Sequence, residues 1–320
     1  MMPVTDVAII GAGPAGVSTA IQLRRYGVDF IVLEKERIGG LLIHANRLEN
    51  YPGFPEGIPG PDLVRRLERH LENSGAHVSF QEVLELDHDG SVFIIRTNND
   101  LLASRIVVIA SGTVPRRLTP AVSKEIENRI FYETFPLTQV SGKKIAVIGS
   151  GDAAFDYALS LSQKNDVLIL NRGDKIKCLP LLWRRVRAVS TISYLENFKV
   201  TVINQADDGL LLCGRSPHEK RDIHVSFLVV AIGRRPNLDF LSQNLKNNLK
   251  NFRKARLLYM AGDVKNGIFR QAAISAGDGI KAAMEIFRKK RRLSHAHNCQ
   301  GRSGGRCHGL YRGNRKRKLY

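Results

Sequence analysis

Apolar residues follow two different patterns over residues 6–34, which read DVAIIGAGPAGVSTAIQLRRYGVDFIVLE. A continuous apolar run leads into a glycine-rich turn, apolar residues at helical spacing follow, and a second apolar run ends at Glu34. Continuous apolar runs of this length predict buried strands, and the spacing between them predicts an amphipathic helix. The segment therefore predicts a complete βαβ unit.

The turn after the first strand has the pattern Gly-x-Gly-x-x-Gly, formed by Gly11, Gly13 and Gly16. The first glycine allows a tight turn, the second lets backbone N–H groups approach a pyrophosphate, and the third permits close packing of helix on strand. The helix N-terminus then faces the anion. Glu34 lies 23 residues after Gly11, where an acidic residue accepts hydrogen bonds from ribose hydroxyls. A dinucleotide site is predicted here.

The same pattern recurs over residues 143–174, KKIAVIGSGDAAFDYALSLSQKNDVLILNRGD. Gly149, Gly151 and Ala154 form a Gly-x-Gly-x-x-Ala turn, and a later apolar strand, HVSFLVVAIG, closes this second unit. Asp152 opens its helix directly after the turn. The second unit is therefore also predicted to bind a dinucleotide.

The second strand of this unit ends in Asn171 and Arg172 instead of an acidic residue. Without that carboxylate a ribose 2′-phosphate is tolerated, and Arg172 with Lys177 can pair with it. The pattern favours NADPH, and NADH stays open because Asp174 lies nearby.

Two such units in one chain suggest one tightly held and one exchangeable dinucleotide, between which a hydride can pass. A flavin and a nicotinamide are the pair whose chemistry needs this arrangement, while the protein supplies orientation and electrostatics. The expected cofactors are therefore FAD and NADPH.

Length and charge constrain the picture further. A chain of 320 residues with 43% hydrophobic content is long enough for about two domains. The net charge is +19, of which residues 288–320 supply +12 through twelve Lys and Arg and no Asp or Glu, leaving +7 for the rest. Such an end is typical of a solvated, disordered tail, and it also suits an acidic partner protein or nucleic acid. Without an apolar run of membrane-spanning length, a cytoplasmic protein with no membrane association is expected.

The cysteines form no Cys-x-x-Cys pair, and a disulfide framework is not expected in a chain of this size. They are Cys178, Cys213, Cys299 and Cys307. The first two lie in apolar surroundings typical of buried thiols. The His and Cys residues of the tail match no standard zinc spacing, so no metal site is predicted. These residues are His295, His297, Cys299, Cys307 and His308.

Seven blocks occur in order along the chain: GAGPAG (11–16), IGGLL (38–42), ENYPGF (49–54), ASGTVPR (110–116), GSGDAA (149–154), AIGRRPN (231–237) and MAGDVKNGIFRQAAISAGDG (260–279). Together they resemble the thioredoxin reductase-like group of FAD-dependent pyridine nucleotide oxidoreductases. The resemblance implies an α/β fold with two Rossmann-like, three-layer (ββα) dinucleotide-binding domains, an NAD(P)H domain being inserted into a discontinuous FAD domain. It also implies a homodimer.

The expected FAD domain comprises residues 1–115 and 236–290, and the NAD(P)H domain comprises residues 116–235. The breaks are predicted near Pro115 and near Arg235–Pro236, since the strand HVSFLVVAIG closes the inserted unit. Residues 291–320 are predicted to form a basic, disordered tail.

The resemblance also assigns cofactor-binding residues. For FAD these are Gly11, Gly13, Pro14, Ala15, Gly16, Glu34, Lys35, Gly39, Gly40, Leu41, Asn50, Ser111, Gly112, Gly262, Asp263, Arg270, Gln271 and Ala272. For NADPH they are Gly149, Gly151, Asp152, Ala154, Arg172 and Lys177. The helix that opens at residues 270–272 is expected to direct its N-terminal dipole at the flavin ring, where reduction places negative charge.

The chain departs from the resemblance in the segment FYETF. Thioredoxin reductases carry Cys-x-x-Cys just ahead of the second glycine turn, and an ungapped alignment puts Tyr132 and Phe135 at those positions. Neither side chain forms a thiolate or exchanges with a disulfide. Two roles stay open for these rings: ordinary core packing with Phe131 at the domain junction, or coverage of the flavin face.

The resemblance therefore implies an FAD-dependent NAD(P)H oxidoreductase, preferably with a protein electron carrier such as ferredoxin or flavodoxin as acceptor. A flavin divides a hydride into single electrons, so no protein thiol is required, and the basic surface suits an acidic carrier. Two alternatives stay open. One is a disulfide reductase that uses Cys299 and Cys307, and the other is a flavin-containing regulatory or nucleic-acid-binding protein.

Overall fold

The computed structural model describes residues 4–118, 123–217 and 219–300, with the backbone alone over residues 293–300. The strands are β1 (Val4–Ile10), β2 (Phe30–Glu34), β3 (Val78–Phe80), β4 (Val83–His88), β5 (Phe93–Thr97), β6 (Leu101–Ile109), β7 (Thr113–Pro115), β8 (Ile130–Phe131), β9 (Lys144–Ile148), β10 (Asp166–Leu170), β11 (Ile192–Leu195), β12 (Lys199–Ala206), β13 (Gly209–Arg215), β14 (Lys220–Val225), β15 (Phe227–Val230), β16 (Arg234–Pro236) and β17 (Leu258–Met260). The α-helices are α1 (Pro14–Arg25), α2 (Gly60–Asn73), α3 (Asp152–Leu161), α4 (Pro180–Arg187), α5 (Gln243–Lys254) and α6 (Ala272–Gln300). Short 3-10 helices cover Gly40–His44, Lys124–Arg129, Phe135–Leu137 and Gly262–Val264.

Both ends of the described chain build the first unit. Its seven-stranded sheet has the order β3-β2-β1-β6-β5-β4, with β17 also paired to β6. Strand β6 serves two purposes, because its first half pairs antiparallel with β5 and its second half pairs parallel with β17. The carboxyl ends of β1, β2, β6 and β17 consequently lie at one edge of the sheet.

Alternate side chains of the central strands enter different cores. Val7 and Ile9 of β1 pack with the helices α1 and α6, whereas Ala8 and Ile10 pack on the opposite face with β5 and α5. This separation follows from the two-residue period of a strand. All four side chains are 5% exposed or less, which explains why the sequence shows a continuous apolar run instead of alternation.

The second unit is inserted between these ends. Its five-stranded sheet has the order β11-β10-β9-β15-β8, and the registered pairs are all parallel. Residues of α3 and α4 form the core on one face, and the antiparallel sheet β12-β13-β14 covers the other. This arrangement is the three-layer ββα form. The predicted α/β class with two Rossmann-like units is thus confirmed.

The two passages between the units run side by side. Strand β7 leaves the first unit, β16 returns to it, and the two pair antiparallel as a short ribbon. The predicted breaks at Pro115 and Arg235–Pro236 lie in this ribbon. Helix α6 continues to Gln300, so the first ten residues of the predicted tail, 291–300, are helical. Over the described ranges, no helix is both long and apolar enough to cross a membrane.

Helices α1 and α6 approach each other closely at Gly279. A Cβ atom at this position would lie 2.1 Å from the carbonyl oxygen of Ala15. Thr19 strengthens the contact, because its hydroxyl donates to the carbonyl oxygens of Ala15 and Gly279 at 2.8 and 3.2 Å. The first turn of α1 is therefore held by a residue from the opposite end of the chain.

The close contact predicts opposite effects for two glycines of α6. We expect Gly279→Ala to lower the free energy of unfolding by about 2–3 kcal/mol through overpacking. The matched control is Gly277→Ala, because no atom lies within 4 Å of a Cβ there and alanine favours a helix by about 1 kcal/mol over glycine. Urea unfolding measures both, and equal stability of the two variants would contradict the contact.

Candidate functional site

The first glycine turn lies at the carboxyl end of β1 and opens helix α1. A Cβ at Gly16 would lie 1.8 Å from the carbonyl oxygen of Gly11, so helix and strand approach too closely for any other residue. At Gly13 nothing lies within 4 Å of a Cβ, and this residue caps α1 without a side-chain hydrogen bond. The open face of the turn thus presents backbone donors and the helix N-terminus, as an anion requires.

Glu34 lies beside this turn at the end of β2. One of its carboxylate oxygens accepts from the backbone N–H of Ala12 at 2.8 Å, and the other accepts from that of Glu36 at 3.0 Å. Lys35 follows as an exposed residue. The acid predicted to bind a ribose is therefore oriented toward the turn by two backbone donors.

The segment IGGLL packs against the same turn. The N–H of Gly39 donates to the carbonyl oxygen of Ala12 at 2.8 Å. A Cβ at Gly40 would lie 3.4 Å from the Cα of Gly13, and Leu41 continues in the 3-10 helix that begins at Gly40. Two segments whose contacting residues are 27 positions apart in sequence thus form one wall.

A second wall comes from the C-terminal part of the chain. A Cβ at Gly262 would lie 2.9 Å from the Cβ of Ala15 in the first turn of α1, next to Pro14. The neighbouring carboxylate of Asp263 accepts from the Ser275 hydroxyl at 3.0 Å, and burial raises its pKa. Asp263 is thus fixed next to the helix that the sequence assigned to the pyrophosphate.

The opening of α6 carries the remaining predicted FAD residues. The amide of Asn50 donates to the side-chain oxygen of Gln271 at 2.8 Å, joining residues 221 positions apart. Helix α6 begins at Ala272. The Nε of Arg270 is buried and has no hydrogen-bond partner among the described residues. Buried donors are normally paired, so this one fits an acceptor atom of a ligand bound here.

Ser111 and Gly112 complete the same edge after β6. A Cβ at Gly11 would lie 3.2 Å from the Cα of Ser111. The Ser111 hydroxyl donates to the carbonyl oxygen of Asn237 at 2.6 Å, and the N–H of Asn237 donates to that of Gly112 at 3.1 Å. Taken together, Gly11, Gly39, Ser111 and Gly262 come from distant parts of the chain to the first glycine turn, and the donors there fit a dinucleotide.

The second glycine turn repeats this geometry at the end of β9. A Cβ at Gly149 would lie 2.5 Å from the carbonyl oxygen of Ala231 and 3.0 Å from the Cβ of Ala154. Gly151 caps α3 without a side-chain hydrogen bond and has an open Cβ position. The carboxylate of Asp152 accepts from the N–H of Leu179 at 2.8 Å and so fastens the loop that precedes α4.

Asn171 stands where a ribose-binding carboxylate is absent, and its side chain also organises the loop after β10. It is 4% exposed, and its amide donates to the Lys175 carbonyl oxygen at 3.2 Å and the Tyr194 hydroxyl at 2.9 Å. The next residue, Arg172, is exposed. Lys177 is exposed as well, and its backbone N–H donates to the carbonyl oxygen of Ser150 at 2.8 Å. Two cations thus lie on the loops beside the turn.

The two rings of FYETF face different surroundings. Tyr132 packs on the core between the two sheets of the inserted unit, with the guanidinium of Arg117 4.4 Å from its ring centre. Phe135 contacts the first unit, because its N–H donates to His44 Nδ1 at 3.2 Å and Arg37 lies 4.3 Å from its ring centre. Of the two, Phe135 is the ring that touches residues near the first glycine turn.

Sequence reasoning missed several polar residues at the junction of the units. The structure brings together His44, Asn46, Glu133, Asp156, Tyr157 and Arg234. Glu133 is the one acidic residue inside the aromatic run FYETF, and this was the available signal. Five residues of the candidate tail chemistry fall outside the described side chains: His295, His297, Cys299, Cys307 and His308.

Comparison with known proteins agrees with this geometry. The profile of the family described as pyridine nucleotide-disulphide oxidoreductase matches residues 5–300. A thioredoxin reductase of Borreliella burgdorferi is 26% identical over 302 residues, covering 88% of this chain and 91% of the relative. Among solved structures, Lactococcus lactis thioredoxin reductase in its FR conformation has a TM-score of 0.81 at 26% identity, covering 90% of this chain and 100% of that one. Thioredoxin reductase of T. acidophilum has a TM-score of 0.76 at 26% identity, covering 89% and 98%.

Asp156 at the junction gives a prediction with a definite sign. Its carboxylate accepts from the backbone N–H of Asn46 at 3.0 Å, and burial raises its pKa to about 6. A raised pKa stabilises the fold fully below the ordinary pKa, and that stabilisation is lost as pH rises through about 6. We therefore expect Asp156→Asn to be more stable than the native chain at pH 8, by up to about 3 kcal/mol, and equally stable near pH 3.5.

Urea unfolding at several pH values measures this difference. Asp87 provides the control of opposite sign, because hydrogen bonding from Ser242 lowers the pKa of its carboxyl. Asp87→Asn should lose stability at neutral pH relative to acid. A constant difference between Asp156→Asn and the native chain across the pH range would contradict the burial of this carboxylate.

Proposed function

Because the chain belongs to the pyridine nucleotide-disulphide oxidoreductase family, we propose that it is an FAD-dependent NAD(P)H oxidoreductase. Electrons would pass from the nicotinamide through FAD to an acceptor, preferably a protein electron carrier such as ferredoxin or flavodoxin. The carrying observation is the pairing of two open glycine turns, at Gly13 and Gly151, with a junction segment that has aromatic side chains at the positions of the thiol pair.

The residues around the first turn support FAD binding. The backbone of residues 11–16 would hold the pyrophosphate at the N-terminus of α1, and Glu34 would accept from the ribose. Asp263 and Arg270 would hold the part of the cofactor that reaches α6, and the N-terminus of α6 would stabilise negative charge there. When bound, FAD accepts a hydride and releases its electrons singly, which is the chemistry that such an acceptor requires.

The second turn supports a nicotinamide dinucleotide, with NADPH preferred. Gly149, Gly151 and Ala154 would cradle its pyrophosphate at the N-terminus of α3. Arg172 and Lys177 are exposed beside the turn, where they can pair with a 2′-phosphate. NADH is the alternative donor.

The acceptor is proposed from what the junction segment lacks. Tyr132 and Phe135 have no redox chemistry that a flavin can use, so a thiol relay at this place is absent from the sequence. The cysteines with described side chains are Cys178 and Cys213, and both are partly exposed instead of buried as the sequence predicts. Their pKa values are raised, mainly by burial at Cys178 and by hydrogen bonding with Asp222 at Cys213. Neither environment favours a thiolate.

A basic surface near the opening of α6 suits an acidic carrier. Arg65, Arg66 and Arg69 line a cavity of about 310 Å³ on α2 together with Asp62. Arg66 lies 5.3 Å from the ring centre of Phe54 in the block ENYPGF. Ala272 at the start of α6 packs on the small apolar cluster that also contains residues of α2. Clustered cations raise the encounter rate with an acidic protein.

We further propose a cytoplasmic homodimer. Helix α6 bears an exposed apolar face at Ile274, Ile280 and Met284, which are 41%, 42% and 47% exposed. A second copy of the chain could cover this face. A nucleic-acid contact would have to involve the basic residues after Lys290, most of which lie outside the described residues.

A disulfide reductase is the second candidate, and the names of the relatives favour it. In this chain it would have to use Cys299 and Cys307, which lie outside the described side chains. Full turnover by a Cys299→Ser, Cys307→Ser protein would remove this candidate.

Flavin reduction tests the proposed donor. We expect anaerobic NADPH to bleach the flavin absorbance of the purified yellow protein at lower concentration than NADH. The double substitution Arg172→Gln, Lys177→Gln should weaken NADPH binding about tenfold or more, because charged hydrogen bonds are lost. The binding of NADH should not change. Arg187→Gln, at an exposed position on α4, is the control. Flavin that stays oxidised with both nucleotides would refute the NAD(P)H-driven mechanism.

Charge reversal on α2 tests the proposed acceptor. We expect Arg65→Glu, Arg66→Glu, Arg69→Glu to reduce kcat/KM for ferredoxin or flavodoxin about tenfold or more at low salt. Turnover with a neutral quinone should not change, because it needs no charged surface. The matched control reverses three basic residues of α5 in the same unit: Lys250, Arg253 and Lys254. Equal loss in both reversed proteins would refute a specific surface on α2.

A further inference from the structure

Four polar side chains meet where the inserted unit contacts the first unit, and we call them the junction cluster. Its members are His44, Glu133, Tyr157 and Arg234. Their exposed fractions are 14%, 20%, 9% and 19%. The cluster is therefore largely shielded from water, and each of its polar groups needs a partner inside the protein.

Glu133 is the centre of the junction cluster. One carboxylate oxygen forms an ion pair with Arg234 Nη1. The other accepts from the Tyr157 hydroxyl at 2.8 Å and lies 3.8 Å from His44 Nε2. These three partners belong to strand β16 of the ribbon, to helix α3 of the inserted unit and to the 3-10 helix Gly40–His44 of the first unit. One carboxylate thus contacts both units and the connection between them.

His44 presents a defined donor to this carboxylate. Its Nδ1 accepts from the N–H of Phe135 at 3.2 Å, so the neutral ring carries its proton on Nε2, facing Glu133. Burial lowers the pKa of His44 and so favours the neutral ring. The cluster therefore contains one anion, one cation and two neutral donors, and its charges balance.

Arg234 extends the cluster toward the predicted flavin residues. Its Nε and Nη2 donate to the hydroxyl and the carbonyl oxygen of Thr113, both at 2.8 Å. Its own carbonyl oxygen accepts from Arg270 Nη2 at 3.4 Å. Arg270 is the residue with the unpaired buried Nε at the opening of α6. Glu133 is thereby connected through Arg234 to the site proposed for FAD.

Two further contacts of the inserted unit end on the same loop. Asp156 accepts from the N–H of Asn46, and Arg185 forms a bidentate ion pair with Glu49 at 2.7 and 2.8 Å. Together with the contact of Glu133 to His44, these polar contacts reach three residues of the loop 44–49. This loop follows the block IGGLL and ends at the first residue of the block ENYPGF, and both blocks contain residues assigned to FAD.

Removing one partner of a buried ion pair leaves an uncompensated charge, so the groups that surround Glu133 must keep their places for its burial to be tolerated. Glu133 lies between Tyr132 and Phe135, the positions that correspond to the thiol pair. We propose that Glu133 is a positioning residue that fixes the orientation of the inserted unit against residues 44–49. It would thereby hold a bound nicotinamide nucleotide in line with a bound flavin. This catalytic consequence rests on the proposed function, whereas the orientation does not.

Distance measurements test the orientation in the full-length protein. Spin labels are attached to cysteines introduced at Ser91 in the first unit and Asp208 in the inserted unit, with the four native cysteines replaced by serine. We expect one narrow distance distribution in the unsubstituted background and a broadened or shifted one in Glu133→Gln. Tyr157→Phe, which removes a single hydroxyl from the cluster, should broaden the distribution as well. Glu125→Gln, at an exposed position just upstream, should leave it narrow.

Kinetic measurements in the native-cysteine protein separate orientation from nucleotide binding. We expect the rate of flavin bleaching by NADPH to fall about tenfold or more in Glu133→Gln, because a misplacement near 1 Å has effects of this size. The Kd for NADPH should not change, since the second glycine turn is intact. A distance distribution that stays narrow in both Glu133→Gln and Tyr157→Phe would overturn the proposal. If the distribution broadens but NADPH never bleaches the flavin of the native chain, positioning is supported and the proposed function fails.

Discussion

The fold depends on the contact between the first turn of α1 and the C-terminal part of the chain. Ala15 is the centre of this contact: Gly262 approaches its Cβ, Gly279 approaches its carbonyl oxygen, and Thr19 donates to that oxygen and to the one of Gly279. Because a Cβ atom at Gly262 or Gly279 would lie too close to Ala15, neither glycine can be replaced without moving the backbone. The contact closes a unit that the chain leaves at β7 and enters again at β16, and it also builds one wall of the candidate FAD site.

The junction between the units shows how charge is used where thiols are absent. An acidic side chain in an aromatic segment is costly unless it is paired and hydrogen-bonded. Glu133 has an ion pair with Arg234 and accepts from Tyr157, so its burial is compensated by groups from two other segments. Phe135 adds its backbone N–H to His44 and its ring to Arg37. A segment without redox chemistry has thereby become a contact surface between the two units.

Features formed by residues close together in sequence could be predicted from the sequence, whereas contacts between distant segments could not. The two βαβ units and their glycine turns were predictable because each is encoded in about thirty consecutive residues, and Gly16 and Gly149 show the close approaches that the motif requires. The pairing of Asn50 with Gln271 spans 221 positions, and only the family resemblance placed both at the cofactor. In the sequence, Asn171 indicates only the absence of a ribose-binding carboxylate. In the structure its amide donates to the Tyr194 hydroxyl and so organises a loop. The partners of Glu133 come from three distant segments, and no local sequence pattern predicts them.

The discontinuity of the first unit also sets an order of events during synthesis. Strand β1 and helix α1 leave the ribosome long before Gly262 and Gly279, which complete the packing around Ala15. The inserted unit between β8 and β15 is complete earlier, since its strands pair only with one another. Domains fold as units while the chain is being made. The nascent protein therefore carries a folded inserted unit while the first βαβ segment, whose apolar helix α1 is still uncovered, waits for the synthesis of α6.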